Sequence, residues 1–166
     1  STWIEVRALL TAAPSASGAK ALYDSTAALD QASQHLVMAI NSRGPEESRR
    51  LILASRMRML SQRIAMHYLY RASGLMTPNA PQMELSYARS EFAANLSRST
   101  QNNAFPAETR EAVARLAGLW PAYQDAAGKT GEPVAMLKNA PAVMEMSEQV
   151  LGATDKVVGT LLAPAR

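Results

Sequence analysis

The chain contains no cysteine among its 166 residues, and aromatic residues make up only 5% of it. The absence of cysteine excludes disulfide bridges and thiolate metal sites. No run of about 18 apolar residues is present, so the sequence predicts no membrane-spanning helix. The motifs typical of enzymes are missing as well, since there is no glycine-rich phosphate loop, no Gly-x-Ser-x-Gly and no set of nucleophile, base and orienting residue. We therefore expect a protein that is not an enzyme and needs no cofactor.

Metal-binding signals are equally scarce. The two histidines, His35 and His67, lie on different predicted helices, and the sequence has no His-x-x-x-His or Glu-x-x-His pair. We expect no metal site and interpret both histidines as packing or surface residues.

What is present favours helices. Hydrophobic residues make up 48% of the chain and charged residues 19%, with frequent alanine, leucine and methionine, which lose little rotamer freedom in a helix. Helical periodicity dominates and no strand is predicted, so the fold class is all-α. After a short segment from residue 3 to residue 10, the predicted helices cover about 18–41, 45–73, 82–101, 106–127 and 133–162.

Prolines and a glycine mark the helix ends. Pro45, followed by two glutamates, suits the first turn of the second long helix, because proline needs no N–H there and acids oppose the helix dipole. Gly74 is predicted to adopt the left-handed conformation that follows a helix end. A loop is expected over 77–81, and Pro141 is expected to disturb the last helix.

The second long helix holds most of the positive charge. The whole chain carries +3, but residues 46–74 contain six arginines and two glutamates, which gives +4 for this segment alone. A helical wheel places an apolar stripe on one side of this helix, formed by Leu53, Met57, Leu60, Ile64 and His67. A row of arginines, Arg49, Arg56 and Arg63, repeats every seven residues. Such rows are typical of a solvated face, which we expect for Arg49 and Arg56.

A third face consists mainly of small residues around one arginine, Arg58. Its members are Leu51, Ala54, Ser55, Arg58, Ser61, Gln62 and Ala65. Small side chains let another backbone approach closely, and in a symmetric dimer two copies of Arg58 would face each other. An anion between them would relieve the repulsion and accept forked hydrogen bonds, with Ser55, Ser61 and Gln62 as neutral donors. The alternative is that Arg58 pairs with a glutamate of a neighbouring helix or extends to solvent.

The run from Ala54 to Arg63, followed by Ile64 and Ala65, resembles the signature of the PilJ-type sensor domain of type IV pilus methyl-accepting chemotaxis transducers. That domain is similar to the periplasmic domain of the nitrate/nitrite sensor kinases NarX and NarQ. The resemblance extends from about residue 53 to residue 127, and Ser55 stands where the family usually has glycine. It implies an antiparallel four-helix bundle, here with an additional N-terminal helix, that dimerises through the 45–73 helix.

The resemblance also implies a site and a role. Arg58 matches the arginine that contacts nitrate in the sensor kinases, Arg63 matches the second arginine of the signature, and Ser55 and Met59 flank the first. The expected ligand is a small anion, nitrate or nitrite, bound by Arg58, Ser55, Met59, Ser61, Gln62 and Arg63. The expected setting is a periplasmic signal-transduction protein, in contact with the membrane only through segments absent from this chain.

The domain organisation predicted from the sequence has two parts. Residues 1–44 form an extra N-terminal helical segment, and residues 45–163 form the PilJ-type bundle. A weak internal repeat, best matched between Ala32–Val37 and Met146–Leu151, suggests that the first part is the end of a preceding repeat. The first residues do not resemble a signal peptide, so we expect that one was removed or that the chain is an excised fragment.

Two other functions remain open. The bundle can serve as a structural or protein-interaction module without a small ligand. Alternatively, Arg49, Arg50, Arg56 and Arg63 can bind anionic lipid or nucleic acid. A charge of +4 on one helix is modest for that purpose, so we expect no nucleic-acid partner.

Overall fold

A computed structural model describes residues 2–11, 15–41, 46–74 and 79–163. Within these ranges the chain is all-helical and contains no strand, which confirms the predicted fold class. The six helices are α1 (Thr2–Thr11), α2 (Ala16–Asn41), α3 (Glu46–Ser73), α4 (Asn79–Thr100), α5 (Ala107–Gly128) and α6 (Pro133–Leu162).

The chain divides into two compact units, Ser1–Ser48 and Arg49–Arg166. In the first unit α1 packs against α2, and Val6 and Tyr23 are buried. The described residues of this unit therefore form two helices, because the short segment that the sequence indicates before the first loop is itself a helix. The predicted domain boundary between residues 44 and 45 lies outside the described residues.

The second unit contains α3 from Arg49 onward together with α4, α5 and α6. α5 packs against both α4 and α6. α3 runs antiparallel to α4, because Arg56 bonds to Glu91 while Arg63, further along α3, bonds to Glu84, which comes earlier on α4. The second unit is thus a bundle-like packing of helices in which α3 and α4 run in opposite directions.

The core of this unit confirms the apolar stripe predicted on α3. Met57, Leu60, Ile64 and His67 are buried, and Leu53 is half-buried. Leu119 of α5 is half-buried, and the side chains of α4 and α5 that complete the core are buried. These residues are Leu85, Phe92, Leu96, Val113, Leu116, Trp120 and Tyr123.

An aromatic cluster joins α4 to α5 inside this core. The ring of Phe92 stacks on Trp120 with centroids 4.4 Å apart, and Tyr123 meets the same indole edge-on at 6.1 Å. Offset-stacked and edge-to-face geometries are the favoured arrangements of aromatic pairs. Three of the nine aromatic residues of the chain therefore lie where α4 and α5 pack together.

The helix ends agree with the sequence at most positions. Gly74 has a φ of 65°, and its N–H donates to the carbonyl of Arg71 at 3.3 Å, which confirms the predicted left-handed helix end. The predicted start at Pro45 lies outside the described residues. α4 begins at Asn79 rather than residue 82, so the loop predicted over 77–81 is wrong for its last three residues. The reason is that Pro81 lies in the first helical turn, where its missing N–H has no role.

Pro141 does not disturb α6. The helix is continuous from Pro133 to Leu162 with Pro141 inside it, so the predicted disturbance is wrong. The side chain of Pro141 is exposed. Water can therefore satisfy the carbonyl group that loses its helical hydrogen bond.

Candidate functional site

Arg58 lies on the outer surface of α3, beside α6. Its Nε donates a hydrogen bond to Oδ1 of Asp155 on α6. The side chains of Arg58 and Asp155 are 52% and 50% exposed, so solvent reaches both partners. Within the described part of the chain, the two terminal amino groups of Arg58 have no hydrogen-bond partner. The guanidinium therefore holds one carboxylate oxygen through Nε and presents its remaining donors to solvent.

Ser55 and Gln62 lie on the same side of α3 as Arg58. Ser55 is exposed one turn before it, and Gln62 is half-buried one turn after it. The amide nitrogen of Gln62 donates to the hydroxyl of Ser147 on α6 at 3.1 Å. Three of the six predicted site residues thus share one face of α3 along its border with α6, and Gln62 already has a partner there.

The other three predicted site residues lie elsewhere. Ser61 is fully buried, its hydroxyl donates to the carbonyl of Arg58 at 2.7 Å, and its own carbonyl accepts a hydrogen bond from the Tyr123 hydroxyl at 2.6 Å. Met59 is half-buried and packs against the core. Arg63 points towards α4, where its Nη2 donates to Oε2 of Glu84 at 2.8 Å. The structure does not bring these three to the outer face that holds Arg58.

The face of small residues is also split by the fold. Ala54 and Ala65 are only 2% and 4% exposed, because other helices of the same chain cover these small side chains of α3. Tyr123 of α5 reaches the α3 backbone at Ser61 across this surface. These small residues therefore serve close packing inside the unit.

Arg56 does not belong to a solvated face. Its Nε donates to Oε1 of Glu91, and the two side chains are only 21% and 17% exposed. The Glu91 carboxylate raises the pKa of Arg56, burial partly offsets this rise, and Tyr87 adds to it. The predicted solvated row is thus wrong for Arg56, whereas Arg49 is exposed. The physical reason is that a carboxylate on α4 stabilises the charge where it is covered.

Three arginines of α3 are balanced by acids that the sequence analysis did not single out. Arg56 pairs with Glu91, Arg63 with Glu84 and Arg58 with Asp155. The first two pairs carry a signal in the sequence, because the arginines on α3 and the glutamates on α4 are each seven positions apart. Matching intervals of opposite charge on consecutive helices indicate that two ion pairs can form between them, and the order in which they pair in the structure gives the antiparallel direction. Asp155 has no comparable signal, because no regular interval in the sequence relates this residue of α6 to Arg58.

Buried polar groups fix α3 against α5 and α6. The hydroxyl of Tyr68 lies 3.1 Å from the carbonyl oxygen of Lys129 and 3.2 Å from that of Met136. It also accepts a hydrogen bond from the Asn139 side chain at 2.9 Å, and the same amide nitrogen contacts the Ala126 carbonyl at 2.9 Å. Such satisfied networks hold helices in one register.

Two buried titratable groups remain neutral in the fold at pH 7. Burial lowers the pKa of His67 to about 4, and the positive charge of Arg63 contributes to this decrease. Burial raises the pKa of Tyr123 far above its ordinary value. Neither residue lies with a nucleophile or a second base in an open cleft, so their perturbed pKa values reflect packing of the core.

Comparisons with protein-family models, with curated proteins and with solved structures found no match to this chain. The resemblance to the PilJ-type domain therefore rests on the motif of α3 and stays a prediction. None of the described helices combines the length and the apolar character that crossing a bilayer requires. Over the same described ranges, no three of histidine, aspartate and glutamate lie close enough together to hold a metal ion.

Proposed function

We propose that this chain is a ligand-binding sensor module of the PilJ type, which binds a small anion, nitrate or nitrite, through Arg58. The observation that carries the proposal is the position of Arg58. Of Arg56, Arg58 and Arg63, it is the one whose side chain and partner are both about half exposed. Its terminal amino groups face solvent in the forked arrangement that planar oxyanions prefer.

The contact between Arg58 and Asp155 supports the choice of a planar oxyanion as the ligand. A carboxylate is itself a planar oxyanion, so the Asp155 side chain stands in for the dissolved anion that the guanidinium would bind. Ser55, one turn away on the same exposed face, is placed to add a neutral donor. Arg63 and Ser61 drop out of the proposed site, because the first pairs with Glu84 and the second lies inside the bundle.

The proposal includes a dimer formed through α3. The outward side of this helix carries exposed or half-buried residues at intervals of three and four, the pattern of a helix-packing seam. These residues are Leu51, Ser55, Arg58, Gln62, Met66 and Leu69. In a symmetric dimer the two Arg58 side chains would approach each other, and an anion would stabilise the contact by cancelling their repulsion. The expected output is a helix shift of about 1–2 Å, typical of such interfaces.

The proposed fold follows the same resemblance. We infer that α3, α4, α5 and α6 form an antiparallel four-helix bundle, supported by the reversed order of contacts between α3 and α4 and by the packing of α5 on both its neighbours. The proposed setting is the periplasmic side of a signal-transduction system, such as chemotaxis.

Thermal unfolding with sodium salts tests the proposal. Nitrate is expected to raise the melting temperature by about 3–6 °C at about ten times its Kd, while chloride and sulfate at equal ionic strength do not. Arg58→Ala should abolish the nitrate effect. Arg98→Ala, which removes an exposed arginine from α4, should retain it. An identical response to all three salts, or an unchanged nitrate effect in Arg58→Ala, would refute the proposal.

A second candidate is a protein-interaction module that binds no small ligand. The observation that favours it is a set of large apolar side chains exposed on α6, namely Val134, Leu137, Met144 and Leu162, which are 40–67% exposed. Such side chains are typical of surfaces that pack against another protein. Measuring the molecular mass in solution with and without nitrate separates the two candidates, since only the sensor predicts that nitrate strengthens the dimer.

A further inference from the structure

We infer that Asp155 is a tethered competitor of the anion, so that it sets the affinity of the Arg58 site. The inference rests on the proposed function and concerns a residue on the last helix, outside the motif of α3. Asp155 accepts the hydrogen bond from Nε of Arg58. An anion that takes both edges of the guanidinium must displace this carboxylate or share the guanidinium with it.

The position of Asp155 makes it removable without disturbing the fold. Its neighbours Thr154 and Val157 are buried and hold α6 in place, while Asp155 itself is 50% exposed at the edge of the helix. A half-exposed ion pair is weak, because solvent screens the attraction and two side chains lose freedom when they pair. The pair can therefore open without breaking the packing between α3 and α6, which Gln62 and Ser147 also connect.

Two effects of Asp155 act in the same direction. Its carboxylate occupies Nε of Arg58, and its negative charge repels any anion that approaches the terminal amino groups. A neutral residue of the same shape removes the negative charge and weakens the hydrogen bond to Nε, because an amide oxygen is a poorer acceptor than a carboxylate. The Arg58 site should then bind nitrate about two- to fivefold more tightly, the range that corresponds to the coupling of an exposed ion pair.

Calorimetric titration of the full chain with sodium nitrate, in a chloride-free buffer at constant ionic strength, tests this inference. Asp155→Asn removes the charge and keeps the shape, and Asp155→Ser is a second variant in case the first is unstable. Glu145→Gln is the matched control, because Glu145 is an exposed acid of the same helix whose carboxylate contacts Gln149 instead. Circular dichroism on each variant confirms that the helices are retained.

Tighter binding of nitrate by Asp155→Asn, with wild-type affinity in Glu145→Gln, is the expected result. Equal affinities in wild type and both Asp155 variants would overturn the inference and leave the proposed function standing. An equal gain in Glu145→Gln would also overturn it, because general charge would then explain the effect. Absence of nitrate binding in all four proteins would refute the proposed function and the inference together.

Discussion

His67 makes the stability of the second unit sensitive to mild acid. Its ring is 1% exposed, and its pKa falls from 6.5 in the unfolded chain to about 4 in the fold, mainly because burial disfavours the charged ring. Below about pH 6.5, His67 binds a proton in the unfolded chain but stays neutral in the folded chain. The free energy of unfolding therefore decreases as the pH falls, by about 1.4 kcal/mol per pH unit from this residue, and the loss ends near pH 4.

The total loss attributed to His67 is about 3 kcal/mol, a large share of the stability of an ordinary domain. His67→Asn removes the titration, so its free energy of unfolding should depend less steeply on pH between 6.5 and 4. The variant is expected to be less stable than wild type at pH 7.5, because a buried ring has been removed. The informative quantity is the difference in pH dependence between wild type and His67→Asn. The contributions of the carboxylates, which both proteins share, cancel in this difference.

Urea unfolding from pH 7.5 to pH 4 measures this difference. Trp120 is 8% exposed and stacks on Phe92, so its fluorescence reports on the second unit, and a Trp3→Phe background makes it the only tryptophan. His35→Asn is the control, because His35 is exposed on α2 in the other unit. Parallel profiles for wild type and His67→Asn would refute the reasoning.

Three further predictions concern two glycines, Gly74 and Gly118, and the buried side chain of Tyr123. Gly74→Ala should destabilise the second unit by about 1 kcal/mol in urea unfolding, since the φ of 65° disfavours a side chain, and equal stability would contradict this cause. Gly118→Ala, in the middle of α5 with open space at its Cβ position, should instead stabilise it by up to about 1 kcal/mol, and a loss of stability would show an unseen clash. Tyr123→Phe should cost about 1–3 kcal/mol by leaving the buried Ser61 carbonyl without its 2.6 Å hydrogen bond, and a neutral effect measured by thermal unfolding would contradict that contact.

Local signals predicted the helices well. Pro133 marks the start of α6, Gly74 follows the end of α3, and the apolar stripe from Met57 to His67 faces the core. These features depend on interactions within a few residues, where proline, glycine and helical periodicity have direct physical consequences. For the helix Thr2–Thr11 the sequence indicates only a short segment, because ten residues give too few turns for a clear periodicity.

The candidate site was predictable only in part, because side-chain partners depend on which helices become neighbours. The wheel put Ser61 and Ala65 on the same face as Arg58, but the packing of α5 across α3 buries the first two and leaves the third exposed. Asp155 is 97 positions from Arg58, and no local pattern relates them. The partners of Arg56 and Arg63 are easier to predict, because these two arginines and the two glutamates of α4 that bind them are each separated by seven residues.

The central claim, that the Arg58 guanidinium receives a dissolved anion, is tested most directly by nuclear magnetic resonance of the arginine side chains. In a spectrum of ¹⁵Nε–Hε groups, the Arg58 signal is identified by its loss in Arg58→Lys and followed during titration with sodium nitrate at constant ionic strength. We expect this signal to move and saturate while those of Arg56 and Arg63, held by Glu91 and Glu84, stay in place. A stationary Arg58 signal, or an equal unsaturable drift of all arginine signals, would contradict the claim.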